Sequence, residues 1–114
     1  MADRRASYEE KIALRDRMLG LLVVAGKMRD QRPGIVDTPY GVECEWVAFE
    51  RSVMLDEVNR AREARGLGSA DPAEVRKADS LASGHVDWAE KFALYCAEIA
   101  LSTSGRVGGE NGGS

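Results

Sequence analysis

Three glutamates at seven-residue intervals, Glu43, Glu50 and Glu57, come nearest to a catalytic pattern in this chain. A row of carboxylates can supply oxygen ligands to Mg²⁺, as helical bundles that hydrolyse nucleotides do. The spacing argues against that chemistry. Residues two full helical turns apart are separated by about 10 Å, too far to share an ion. No ExxE with a matching ExxD, and no ExxH, places a second ligand one turn away. The row therefore reads as a solvated or salt-bridged ridge facing the bases of the first helix. The single histidine, His85, has Asp87 nearby but no nucleophile with a signature around it. Cys44 and Cys96 form no CxxC or Cys/His cluster, so neither zinc nor a disulfide framework is signalled. No catalytic residue, metal or cofactor is expected, and the balance is against an enzyme.

Charge points the same way. The chain carries 16 Lys and Arg against 19 Asp and Glu, a net charge of −3, which argues against a nucleic-acid partner. A helix-turn-helix around SLASGHVDWAEK would open its recognition helix with Asp87 and Glu90 and offer phosphate only Lys91. Bases are in surplus over residues 1–32 and acids over the remainder, a pattern that can register helices against each other. The most apolar run, Met18 to Gly26, is enclosed by Arg17 and Lys27 and falls far short of the ~20 residues a membrane span needs. The start, MADRRASYEEK, lacks the apolar core of a signal peptide, and with the cysteine usage this leads to the expectation of a cytoplasmic protein without a membrane partner.

The elements that must hold these residues are helical. Ser7 and Glu10 make a capping box that starts a helix near Tyr8, expected to run to about Asp30 on a stripe of Leu14, Met18, Leu21, Ala25 and Met28. Between Met18 and Ala25 this helix is apolar almost all round, so its excess surface needs cover from the fold or from another chain. Residues 31–41, with two prolines and two glycines, read as a loop whose Arg32, Asp37, Thr38 and Tyr40 are candidates for recognition, beside their ordinary use in turns and caps. Its Ile35, Val36 and Tyr40 suggest that it folds back as a lid. A second helix is expected over Gly41–Arg65, stopping at Gly66, with one stripe of Val42, Trp46, Phe49 and Val53 and another of Val47, Met54, Val58 and Ala61.

Asp71-Pro72-Ala73-Glu74 is the strongest local signal, an N-cap followed by proline at the first helical position. The helix it opens could continue to 102, kinked or broken at Ser83-Gly84. Its second part, His85 to Leu101, puts Trp88, Phe92, Tyr95 and Ile99 on one flank and Val86, Ala89, Ala93, Cys96, Ala97 and Ala100 on the other, which predicts a central helix with two neighbours. The aromatics read as core, Trp88 and Phe92 packing with Trp46 or Phe49. Residues 103–114 are Gly and Ser rich and read as a disordered tail.

The segments YGVECEWVAFERSVMLDEVNRAREARG and GHVDWAEKFALYCAEIAL resemble those of small helical proteins from actinobacteria and their phages. The resemblance spans residues 8–101, rests on no catalytic motif and implies no activity. The residues themselves predict an all-α fold, an antiparallel bundle of three to four helices in a single domain over 1–102 with the tail beyond. The expected function is a non-enzymatic helical interaction module that self-associates, most simply as a symmetric homodimer, and binds or modulates another protein. Leu19, Val23, Leu94 and Leu101 are the interface candidates. A metal-dependent all-α nucleotide hydrolase and a DNA-binding regulator are the alternatives.

Overall fold

The computed structural model describes residues 7–27, 35–38 and 41–106. Four helices, α1 (Tyr8–Lys27), α2 (Glu45–Ala64), α3 (Pro72–Ala82) and α4 (Trp88–Leu101), form an all-α bundle. A small hairpin, β1 (Ile35–Thr38) and β2 (Gly41–Cys44), stands before α2.

Local chemistry sets each boundary. The Ser7 amide donates to Glu10 Oε1 at 2.8 Å and the Glu10 amide to Ser7 Oγ at 3.0 Å, so the capping box closes as expected. At the end of α2, Gly66 turns with φ +75°, its amide donates to Glu63 and that of Leu67 to Arg62, which completes a Schellman stop. Asp71 accepts from the Ala73 amide at 3.0 Å and caps α3. Ser83-Gly84 breaks the helix outright, Gly84 taking φ +89°, and α4 begins only at Trp88. The expected start at His85 therefore shifts by three residues, and Val86 stands fully in solvent instead of on the small flank.

Two boundaries in the middle of the chain also differ from expectation. The segment read as a loop pairs Ile35 with Cys44 and Thr38 with Gly41 in an antiparallel ladder, so α2 begins at Glu45 and not at Gly41. Val42 had suggested helix by its four-residue spacing to Trp46, a coincidence that short apolar runs permit. α1 is described to Lys27, and its expected last turn to Asp30 lies outside the described residues.

Ion pairs fix the order of the helices. Glu10 meets Arg65 at 3.5 Å and Arg17 meets Glu57 at 2.6 Å, so α1 and α2 run antiparallel. Lys11 lies 3.7 Å from Glu98, while Arg15 feels Glu90, which sets α1 antiparallel to α4. Asn59 accepts from the Ala70 amide just before α3, and Arg51 reaches Asp79 near its end, so α3 runs back along α2. The arrangement is the expected antiparallel one, in which α4 packs on all three other helices instead of two. Phe92, Ala93, Cys96, Ala97, Ile99 and Ala100 of α4 are buried with Met18 and Leu22 of α1, Met54 and Val58 of α2, and Val75, Ala78 and Ala82 of α3. Phe49, one of the two alternatives expected to join this core, is exposed, and the side chain of the other, Trp46, lies outside what is described.

Of the segment read as a tail, residues 103–106 belong to the folded unit. The Gly105 amide donates to Ser102 O, and Gly105 is buried with φ +70° against the Arg62 guanidinium. Residues 107–114 lie outside the described residues.

Candidate functional site

The apolar excess of α1 divides in the bundle. Met18, Leu22 and Ala25 are buried, and Leu19 is half-buried against the core. Ala13, Asp16, Arg17, Gly20, Val23 and Val24 form the outer face. Val23 is 49% and Val24 57% exposed, one turn beyond Gly20, where a side chain would find open space. Both hairpin strands contact α2, and Tyr40, one of the three residues expected to form a lid, lies outside the described residues. Of the four interface candidates, Val23 is the open one, whereas Leu94 and Leu101 on α4 are half-buried like Leu19.

The recognition candidates fall on the hairpin or outside the described residues. Asp37 is exposed on β1 opposite Val42, and Thr38 sits opposite Gly41 at the end of the ladder. Arg32 and Tyr40 lie outside the described residues.

The glutamate row does not form a single ridge. Glu43 belongs to β2, while Glu50 and Glu57 on α2 are buried instead of solvated. Glu57 Oε2 accepts from Arg17 Nε, and its Oε1 lies 3.6 Å from Arg60, so the ridge does face a base of α1. Among the described residues no three of His, Cys, Asp and Glu gather closely enough to hold a metal ion. His85 is exposed in the turn before α4. Burial pushes the Cys96 thiol far above its ordinary range, with the Asp79 charge adding to the effect, which leaves a poor nucleophile.

A different constellation emerges where α2, α3 and the start of α4 meet. Asp79 is buried on the core stripe of α3, between Val75, Ala78 and Ala82. Its Oδ2 accepts from Arg51 Nε at 2.8 Å and its Oδ1 from Trp88 Nε1 at 2.9 Å, so one carboxylate ties three helices together. Trp88 also meets Phe92, ring centroids 5.6 Å apart and tilted by 37°. Beside them opens a cleft of about 420 Å³ lined by Val47, Glu50, Arg51, Asp79, Ser80, Ser83 and Trp88. Trp88, expected in the core, is half-buried at its rim. The sequence did hold a signal for this site, an acid on an otherwise apolar stripe, since a buried carboxylate requires donors. What it lacked was the identity of those donors, one 28 residues before Asp79 and one nine after.

Among the described residues no helix is long and apolar enough to cross a membrane. Compared with known proteins, the chain matches no family model, no curated protein and no solved structure.

Proposed function

We propose that the chain is a non-enzymatic helical interaction module that self-associates through the outer face of α1 and binds another protein. The observation that carries this reading is the exposure of Val23 and Val24 beside the open space at Gly20. Each valine, about half exposed, forgoes about half of the roughly 1.5–3 kcal/mol that full burial contributes. Knob and hollow lie one turn apart on the same face, so a two-fold axis between them seats a valine of each copy over the glycine of the other. The glycine also lets the helix axes approach, because interaxial distance follows side-chain size at the contact.

Light scattering at micromolar concentration tests the reading. Twice the monomer mass is expected for the wild type, and Val23→Glu should give a folded monomer. A wild-type monomer across that range rejects self-association. The hydrolase alternative would gain if Mg²⁺ with a nucleoside triphosphate raised the melting temperature, since a ligand of the native state stabilises it.

A further inference from the structure

We propose that a second copy of the chain docks antiparallel on α1 in a single register, with Val23 over its Gly20 and Asp16 against its Lys27. The inference rests on the self-association reading and adds which valine enters the hollow and which charges select the partner.

Asp16, Gly20, Val23 and Lys27 follow one another in α1 at spacings of four, three and four residues, which places them on one face of a helix that turns by about 100° per residue. The stripe runs acid, hollow, knob, base. A 4-3-4 spacing is the same in both directions, so a two-fold axis between Gly20 and Val23 sets knob on hollow and acid on base, each twice. A second copy matches that order by symmetry, whereas a partner of unrelated sequence has no reason to. The neighbouring valine gives no such match. With Val24 over Gly20 the register moves by one residue, and Arg17 in place of Asp16 comes opposite Lys27 of the second copy, two like charges in contact. A parallel pair sets Asp16 against Asp16 and Lys27 against Lys27.

The described side chains on this stripe suit their parts. Val23 is 49% exposed, and a side chain at Gly20 would find open space. The Asp16 side chain is 59% exposed, and both bonds from Arg15 end on its Oδ1. A carboxylate has a second oxygen to offer, so Asp16 can meet an ammonium group without giving up Arg15. Exposed ion pairs are weak singly, so the charges choose orientation and register while the apolar contact supplies the affinity.

The test measures the dimer Kd of the full chain by light scattering on dilution. Asp16→Lys and Lys27→Glu each create two like-charge contacts in the antiparallel pair and should each raise the Kd by about tenfold or more. Joining both substitutions in one chain, or mixing the two single variants, restores opposite charges and should return the Kd to within about threefold of wild type. Circular dichroism should show the same helix content throughout. If a charge reversal unfolds the chain, Asp16→Asn, Lys27→Gln and their combination give the same cycle, and the combination should bind no more weakly than either alone. A wild-type dimer whose Kd ignores the reversals, or whose double variant is as weak as both singles added together, overturns the register and leaves self-association standing. A wild-type monomer overturns both.

Discussion

Arg62 shows how one side chain can serve two helix ends. It is buried in the last turn of α2, where its Nε donates to Gly68 O and its Nη1 to Ile99 O at 2.8 Å and Ser102 O at 2.6 Å. Burial lowers its pKa, and the carbonyl ends of α2 and α4 supply the negative potential that keeps the cation in place. A helix that stops at Gly66 puts Arg62 in its last turn, but nothing in the sequence carries Arg62 across to a second helix end, because periodicity gives the direction of a side chain and not its neighbour. Arg62→Met should cost about 2–4 kcal/mol in urea unfolding, since buried carbonyls lose their donor. An unchanged midpoint would show that water replaces the guanidinium. Phe92, fully buried as its spacing indicated, should cost about 3–5 kcal/mol when replaced by alanine. Cys96 supplies the chemical counterpart. Its raised pKa predicts that peptide mapping finds no alkylation of this thiol in the native protein near pH 8 and full alkylation in denaturant.

At the scale of elements, the sequence was most informative where one residue does one job. Ser7 with Glu10, Asp71 with Pro72, and Gly66 all act where their types indicated, because caps depend on bonds within a few residues. The hairpin was not legible for the opposite reason. Ile35, Val36, Thr38 and Val42 favour strand, but Pro33 and Gly34 before them and Pro39 and Gly41 among them give an equally good loop, and only pairing decides. The capping box also gives a pH prediction. The Ser7 amide, ahead of Arg65, holds the Glu10 carboxyl below the ordinary glutamate range. A carboxylate with a depressed folded pKa stabilises above its unfolded pKa, and that contribution is lost as pH falls through the folded one. The first turn of α1 should therefore fray only below about pH 4.5, seen as faster exchange of the amides near Lys11. Glu10→Gln should remove the dependence on acid while keeping the fold.

At the scale of the whole molecule, the uneven charge along the chain has a structural outcome. Lys11 and Arg17 of the base-rich first segment meet Glu98 and Glu57 of the acid-rich remainder, which helps select the antiparallel order. The Gly/Ser-rich end is where a compositional reading misleads most. Its small residues offer little apolar surface, yet Gly105 covers Arg62 because it lacks a side chain: a Cβ there would lie 3.2 Å from the guanidinium, and φ +70° disfavours any other residue. The turn over 102–105 thus closes the end of the bundle at which Arg62 joins α2 to α4. Ending the chain after Ser102 should expose that guanidinium and its carbonyl partners to water, and Gly105→Val should strain the same contact without removing any chain. Both variants should melt below the wild type, by roughly 4–8 °C for each kcal/mol lost in a domain of this size. Gly105→Ala should fall between Gly105→Val and wild type if crowding of Arg62 adds to backbone strain. If the truncated and the Gly105→Val proteins both melt with the wild type, the turn merely rests on a clamp that is complete without it.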